Sequence, residues 1–253
     1  MRVLIKTPQE IEIIAEGGKR LAEIMKELKK AARPGMTTKA LDRLAENLIF
    51  KLGGKCSFKG YKNGSGQPFP ACLCSSINNE IVHAVPSERI IKEGDLLSLD
   101  LGIFYQGFHT DMAETLAIGR ASPLAEKLII VTREALRRGI KVIKPGRHFG
   151  DIGFTIQEYV ESQGFNVIRE LCGHGIGRQL HEEPEILNYG RREDGPELVK
   201  GMVFCLEPML TTGNWRIKKA ENGFAYETMD NSLSCHFEHT VAITENGVRV
   251  LTA

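Results

Sequence analysis

An internal repeat constrains the fold of this chain more than any other feature of its 253 residues. A helix-forming stretch, a Pro-Gly break and a second amphipathic stretch follow residue 7, and the same order returns after residue 120. The residues that end these stretches recur at a constant offset of 111: Pro34, Gly35 and Gly53 are matched by Pro145, Gly146 and Gly164. The sequence therefore predicts a single domain, 1–253, with two similar halves at roughly 7–119 and 120–253.

Each half begins with a helix-start signal. Thr7, Pro8 and Glu10 supply an N-cap, a proline at the first helical position and an acidic residue at N3. Ser122 and Pro123 open the corresponding helix of the second half. We therefore expect two amphipathic helices in each half.

The apolar stretches after each helix pair have the composition of β-strands. "GDLLSLD", which begins at residue 94, and "GMVFCLE", which begins at residue 201, share a six-residue step from glycine to acid. "HTD" at 109–111 is likewise echoed by "HFE" at 236–238. We expect an α+β architecture with pseudo-twofold symmetry, in which strands of both halves form a curved sheet and helices cover its back.

The repeat places four acidic residues at equivalent positions, Asp100, Asp111, Glu207 and Glu238. If the halves are related by a twofold, these carboxylates meet near the axis and repel one another unless cations lie between them. His174, between glycines in "LCGHGIG", is free to project toward them. The set suits two divalent ions, Mn, Fe(II), Co or Zn, which would activate water for hydrolysis.

Each of these residues also has an ordinary structural interpretation. A single aspartate in a strand, such as Asp100, is commonly a hydrogen-bonded structural acid. The glycines around His174 are explained equally well by tight packing. What favours the metal interpretation is the joint pattern of four acids placed in register by the repeat.

The bulk composition favours a cytoplasmic protein that binds neither nucleic acid nor membranes. Its 33 Lys and Arg residues nearly balance 32 Asp and Glu residues, so no net field attracts either partner. The N-terminus lacks the apolar run of a signal peptide, and no stretch approaches the ~20 apolar residues of a membrane span. Of the six cysteines only Cys72 and Cys74 are close, without a second pair to complete a zinc site, so we predict reduced thiols.

The segments "LDLG", "HTDMAET", "GHGIGRQLHEEP", "VFCLEPM" and "FEHTVAIT" resemble those of the methionine aminopeptidases. The resemblance covers essentially the whole chain and implies the pita-bread fold, with two pseudo-twofold-related halves. It also implies removal of the initiator methionine from nascent polypeptides with a small second residue, by a hydroxide that bridges two metal ions. Only 25 residues separate His181 from Glu207, which leaves no room for the helical insert of type II enzymes and favours type I.

The resemblance also implies a role for each ligand. Asp111 and Glu238 would bridge the two ions, Asp100 would chelate one ion, and His174 with Glu207 would complete the other. By position in the family, three residues would act on the substrate: His83, His181 and Glu207.

The two histidines have separate expected contacts. His83 would hydrogen-bond near the scissile amide nitrogen, His181 would meet the carbonyl oxygen, and Glu207 would shuttle a proton. His83 could instead be a satisfied core histidine, although its H-x-x-P spacing recurs at His181. The remaining histidines near the ligands are expected to give structural support: His109, His236 and His239.

A methionine side chain needs an apolar and polarisable slot. The resemblance implies that the substrate contacts Tyr61, Phe69, Cys74, His83, Leu180, His181 and Phe224, with Trp215 nearby on the same hairpin as Phe224. These aromatic residues could also be ordinary core. Leu180 and Phe224 stand where bulkier aromatics often occur, and Gly102 replaces a hydroxyl residue found in some members.

Two competing functions remain open from the sequence. Prolidases and Xaa-Pro aminopeptidases share the fold and ligands but usually carry an additional N-terminal domain. Some pita-bread proteins have lost their ligands and act as binding modules, whereas all five ligand positions are filled here. We expect a monomer whose partners are peptides with N-terminal methionine, with a transient contact to the ribosome.

Overall fold

The computed structural model describes residues 3–62, 66–245 and 247–253. No helix formed by these residues has the length and apolar character that crossing a membrane requires. Four helices are present within the described residues: α1 (Pro8–Ala31), α2 (Thr38–Lys51), α3 (Pro123–Val142) and α4 (Phe149–Ser162). The bounds of α4 lie 111 residues after those of α2 at both ends, so the repeat offset read from the sequence is kept in the helices.

The helix starts follow the predicted local chemistry. Thr7 and Glu10 form a reciprocal capping box at α1, because each side chain satisfies a backbone N–H of the other residue. The Ser122 hydroxyl accepts from the backbone N–H of Ala125 at the start of α3. His148 is the N-cap residue of α4. The predicted helices are therefore confirmed, with starts set by local hydrogen bonds.

Fifteen strands form three antiparallel sheets within the described residues. They are β1 (Lys55–Cys56), β2 (Leu73–Ile77), β3 (Glu80–Val82), β4 (Leu96–Tyr105), β5 (Phe108–Ala117), β6 (Asn166–Val167), β7 (Gly173–Gly175), β8 (Glu182–Ile186), β9 (Val203–Leu206), β10 (Met209–Thr211), β11 (Ile217–Lys219), β12 (Tyr226–Thr228), β13 (Ser234–His236), β14 (Glu238–Thr244) and β15 (Gly247–Val250). The main sheet has the order β1-β4-β5-β14-β9-β7-β8, with β2 on β4 and β15 on β14.

The two halves meet in the middle of the main sheet, where β5 pairs with β14. Glu238 lies opposite Ala113 and His239 lies opposite Met112. Strands β2, β4 and β5 come from the first half, and β7, β8, β9 and β14 come from the second. This arrangement places both halves' acidic residues on adjacent strands.

Helices cover one side of this sheet and form two apolar clusters with it. One cluster combines α1 and α2 with the first-half strands, and the other combines α3 and α4 with the second-half strands. Gly18 lets α1 approach the C-terminal segment, because a Cβ there would lie 2.1 Å from the Leu251 carbonyl oxygen. The core thus leaves the other side of the sheet available for a site.

The structure joins Cys56 and Cys72 in a disulfide, so the prediction of reduced thiols is wrong for these two residues. Both β1 and β2 pair with β4: Cys56 lies opposite Ile103 and Leu73 lies opposite Leu101. The two strands therefore follow one another along one edge of β4, which brings the cysteines together. Four cysteines remain free thiols: Cys74, Cys172, Cys205 and Cys235.

Candidate metal centre

Strand register gathers three of the predicted ligands on one face of the main sheet. Asp100 lies opposite Ala113 across β4 and β5, and Ala113 lies opposite Glu238 across β5 and β14. Asp111 precedes Ala113 by two residues on β5, so its side chain points to the same face. One carboxylate oxygen from each of Asp100, Asp111 and Glu238 lies within 4.8 Å of the others.

These three carboxylates are buried and incompletely satisfied. Asp100, Asp111 and Glu238 are 8%, 3% and 2% exposed. One oxygen of each, Oδ1 of the aspartates and Oε1 of the glutamate, has no hydrogen-bond partner among the described residues. A buried carboxylate without partners costs free energy unless it is protonated or meets a cation.

The electrostatics of the cluster point the same way. Burial and then the neighbouring Glu238 and Asp100 raise the pKa of Asp111 well above its usual value. Burial and then Glu207 raise the pKa of Glu238 in the same direction. Burial raises the pKa of Asp100 to about 6, against an opposing effect of His236. The protein by itself therefore disfavours the ionised cluster, and a divalent cation would reverse that preference.

The fourth acid, Glu207, directly follows β9 and links the carboxylates to His174. Its two carboxylate oxygens lie 3.6 Å from Nε2 of His174 and 3.5 Å from Nε2 of His236. Burial and then Asp100 raise the pKa of Glu207 well above its usual value. Glu207 could therefore serve as a metal ligand, and its raised pKa favours the protonated form.

His174 is set up to offer Nε2 as a ligand. Its Nδ1 lies 2.9 Å from the carbonyl oxygen of Gly175, and donation there leaves the Nε2 lone pair free. Burial lowers the pKa of His174 to about 3, so the ring is neutral near pH 7. The flanking glycines are needed for packing, since a Cβ at Gly173 would lie 2.3 Å from the Cys205 carbonyl oxygen.

Cys205 is a neighbour of the centre that the sequence analysis missed. Its Sγ, a nitrogen of His174 and a carboxylate oxygen of Glu238 lie within 4.8 Å of one another. Burial, followed by the nearby carboxylates, raises the pKa of this thiol well above its usual value, so Cys205 stays protonated. Cys205 precedes Glu207 by two residues, and that strand spacing was the available signal. A further group, Glu46 with Cys56 and Cys72, has its thiols tied up in the disulfide.

The carboxylates line a cavity of about 910 Å³. All the residues predicted to bind metal or substrate line it: Tyr61, Phe69, Cys74, His83, Asp100, Asp111, His174, Leu180, His181, Glu207, Phe224 and Glu238. Phe69 and Phe224 pack edge to face with ring centroids 5.8 Å apart. An apolar slot thus adjoins the acidic centre.

Two neutral histidines, His83 and His181, line the same cavity as the slot and the acids. The His181 ring lies 4.2 Å from the His174 ring, and its Nδ1 lies 2.8 Å from the Tyr61 hydroxyl. His83 follows β3 with φ +60° and lies 6.0 Å from the Tyr226 ring. Burial lowers the pKa of each to about 4. Both rings can therefore donate a hydrogen bond without carrying charge.

Residues 12–245 match the model of metallopeptidase family M24. The chain belongs to that family. It is 46% identical over 251 residues to a methionine aminopeptidase of Clostridium acetobutylicum, covering 99% of this chain and 98% of that protein. The corresponding Escherichia coli K12 protein is 36% identical, with 100% and 94% covered. The predicted membership of a metallopeptidase family that includes methionine aminopeptidases is confirmed.

Solved structures agree with this assignment to family M24. A Thermotoga maritima methionine aminopeptidase superposes with a TM-score of 0.95 at 44% identity, covering 99% of each chain. A Pyrococcus furiosus prolidase gives a TM-score of 0.78 at 24% identity, covering 98% of this chain and 65% of that one. The prolidase shows a shared fold alone, and the predicted pita-bread fold is confirmed.

The structure explains one departure from the M24 pattern expected from the sequence. A Cβ at Gly102 would lie 2.8 Å from Cβ of Ser57 and 2.9 Å from Cε1 of Phe58. A hydroxyl residue therefore has no room at position 102, because Ser57 already fills that space. The Ser57 hydroxyl in turn lies 2.9 Å from Nδ1 of His109, which gives this histidine the structural contact expected of it.

Several cavity residues of this M24 protein were not found from the sequence. Among them are Phe58, Glu170, Glu185, Met209, Lys219 and Tyr226. Trp215, predicted to share the hairpin of Phe224 because it is nearby in sequence, packs against the Arg169 guanidinium, 5.4 Å from its carbon to the ring centroid. Tyr226 had a usable signal, since it lies on the hairpin that carries Phe224. The others depend on how separate loops meet.

Proposed function

We propose that this metallopeptidase removes the N-terminal methionine from polypeptides whose second residue is small, using two divalent metal ions. The observation that carries the proposal is the adjacency of an apolar slot to a buried carboxylate cluster. Relatives at 36–46% identity over nearly their whole length bear the name methionine aminopeptidase. The slot would hold the methionine side chain, and the carboxylate cluster would hold the metal ions that hydrolysis requires.

Five residues fit the metal ions. Asp111 and Glu238 would bridge, Asp100 would hold one ion, and His174 with Glu207 would hold the other. The unpartnered oxygens of Asp100, Asp111 and Glu238 and the free Nε2 of His174 are the donor atoms such ions need. Four acidic ligands favour two ions over one, because two divalent charges balance four carboxylates. Mn, Fe(II), Co and Zn all suit this donor set, and bound ions would lower the pKa of water enough to supply hydroxide at neutral pH.

The histidines would stabilise the charge that develops on the substrate. Donation from the Tyr61 hydroxyl to Nδ1 of His181, across 2.8 Å, leaves the proton on Nε2. That N–H would donate to the carbonyl oxygen as it becomes negative. His83 would hydrogen-bond near the scissile amide nitrogen. Because the pKa values of His83 and His181 are both about 4, neither ring is positively charged at neutral pH, and neither repels the metal ions.

Glu207 would move the proton between the nucleophile and the leaving amine. Burial and then Asp100 raise the pKa of this carboxyl well above its usual value, which favours its protonated form. Its oxygens lie near His174 on one side and His236 on the other. This position would leave the carboxyl beside the proposed ions.

The slot would hold the methionine side chain. Phe69, Leu180 and Phe224 give it apolar walls, and Cys74 lies opposite Asp100 in the sheet. A thioether gains about 0.3–1.5 kcal/mol from each contact with an aromatic ring. The edge-to-face pair of Phe69 and Phe224 provides such rings.

Metal dependence and substrate choice test the proposal together. The purified protein is stripped with a chelator, resupplied with Mn²⁺ or Co²⁺, and assayed on Met-Ala-Ser and on Ala-Pro. We expect cleavage of Met-Ala-Ser only after metal is restored. Cleavage of Ala-Pro alone would support a prolidase-like activity, and binding without turnover would support a non-catalytic module.

The ligand assignment is tested by Asp111→Asn and Glu238→Gln. Each replaces a charged ligand oxygen by an amide of similar size, so we expect loss of activity with retention of the fold measured by circular dichroism. Asp42→Asn is the matched control, because Asp42 is an acid outside the centre that accepts from the N–H groups of Cys72 and Leu73. Wild-type turnover in either ligand variant would remove that residue from the set.

The remaining expectations extend the same proposal. We propose that residues 1–253 act as one catalytic domain in the cytoplasm, as a monomer without nucleic-acid or membrane partners. The near balance of 33 basic and 32 acidic residues supports the expected absence of nucleic-acid and membrane partners. A transient contact with the ribosome would give access to nascent chains, and co-sedimentation with translating ribosomes tests it.

A further inference from the structure

The most deeply buried Lys or Arg ion pair of the described residues lies next to His181. It joins Nζ of Lys6 to Oε2 of Glu182, whose side chains are 5% and 2% exposed. In each of the other Lys and Arg pairs both side chains are at least 16% exposed. The pair connects residues 176 positions apart, the N-terminal segment and the first residue of β8.

Glu182 uses both carboxylate oxygens to close one turn. Oε1 accepts from the backbone N–H of Gln179 at 3.1 Å, while Oε2 accepts from Lys6. The backbone N–H of Gly177 donates to the Gln179 carbonyl at 3.1 Å. The turn that Glu182 closes therefore contains Leu180 and His181, which both line the cavity.

Lys6 is fixed from the other side by the body of the protein. Its backbone N–H donates to the Gly201 carbonyl at 2.8 Å, and its Nζ also donates to the Leu4 carbonyl at 3.1 Å. The side chain passes so close to Gly177 that a Cβ there would lie 2.5 Å from Cε of Lys6. The ammonium group thus has a set position from which to hold Glu182.

Stability alone does not account for such a pair. Burying two charges costs desolvation free energy, and an apolar pair of similar volume is often equally or more stable. Fixed geometry is what the pair supplies and an apolar pair lacks, because each Glu182 oxygen has one directed donor. The residue that benefits is the neighbour, His181, whose ring must point at the substrate.

We propose that Lys6 and Glu182 are positioning residues that hold the His181 imidazole against the substrate carbonyl. The inference rests on the proposed function, because it assumes that His181 acts on that oxygen. Loss of the pair would let the turn at 177–182 shift while the sheet and its metal ligands stay in place. A misplacement of about 1 Å can cost a reaction up to roughly 100-fold in rate.

The test is a double variant, Lys6→Met/Glu182→Leu, which removes both charges and so avoids an unpaired buried one. On Met-Ala-Ser we expect kcat to fall roughly 10- to 100-fold with KM changed by no more than about twofold. Calorimetric Mn²⁺ affinity should stay within about threefold, because the ligands do not move. Lys6→Arg, which keeps the charge, should retain most of the turnover. The matched control is Lys200→Met/Glu245→Leu, an ion pair with side chains 53% and 75% exposed, for which no change is expected.

A double-mutant cycle with His181→Ala distinguishes an effect that acts through His181 from a general loss of structural order. In that background the Lys6/Glu182 change should lower kcat by less than about twofold, because the residue it serves is gone. Equal losses in both backgrounds, or a large loss of Mn²⁺ affinity, would overturn the inference. Failure of the unmodified enzyme to cleave Met-Ala-Ser would instead overturn the proposed function.

Discussion

Reduction of the Cys56–Cys72 disulfide is expected to destabilise the protein by about 3 kcal/mol. The two residues are 16 positions apart, and closing a loop of about 15 residues removes roughly that much conformational free energy from the unfolded chain. In a protein of this size 1 kcal/mol corresponds to about 2–4 °C. Reduction should therefore lower the unfolding midpoint by roughly 6–12 °C.

The assay compares oxidised and reduced wild-type protein by scanning calorimetry, with and without a phosphine reductant. Comparing the two states isolates the cross-link, since a substitution at the buried Cys72 would also change packing. Cys172→Ser is the matched control and should keep the whole shift, because Cys172 is a free thiol. Midpoints within about 2 °C of each other, or six titratable thiols in the unfolded oxidised protein instead of the four free thiols, would refute the reasoning.

Three further predictions concern the carboxylate cluster and the packing around Gly102. In chelator, stability should fall as the pH rises from about 4 through 6, because the pKa of Asp100 is raised from 3.8 to about 6, an effect on the order of 3 kcal/mol. Asp111→Asn should raise the metal-free unfolding midpoint at neutral pH, because it removes a carboxylate whose pKa burial, Glu238 and Asp100 raise well above its usual value; a lower midpoint would contradict like-charge repulsion. Gly102→Ala should cost about 1–3 kcal/mol in urea unfolding, and Ser57→Gly in the same chain should recover part of it; an additive loss would contradict the contact.

The sequence predicted those parts of the fold that local chemistry decides. Thr7 and Ser122 cap helices through contacts three residues away, and such contacts are visible in the order of residues. The repeat then carried the acids into register, since a strand residue points to a known face once its neighbours are paired. Asp100, Asp111 and Glu238 were brought together by this reasoning.

What escaped prediction depends on contacts between distant segments. The Cys56–Cys72 bond arises because β1 and β2 share one edge of β4, which no spacing rule indicates. The Lys6–Glu182 pair spans 176 positions. Glu182 lies within the segment "GHGIGRQLHEEP", but no pattern in the sequence links it to Lys6. Cys205 could have been found, since it alternates with Glu207 along the chain.

Different kinds of interaction fix the floor and the walls of the cavity. The floor carries Asp100, Asp111 and Glu238 on neighbouring strands of the main sheet, which ladder hydrogen bonds hold together. The walls are two loops and a hairpin. The disulfide anchors 57–71 and the Lys6–Glu182 pair anchors 177–182, whereas the 217–228 hairpin pairs with β3 and also donates from the Ile217 N–H to Glu170 at 3.1 Å. A change to the Lys6–Glu182 link should therefore lower turnover while leaving metal binding intact, because catalysis and metal binding depend on separate sets of interactions.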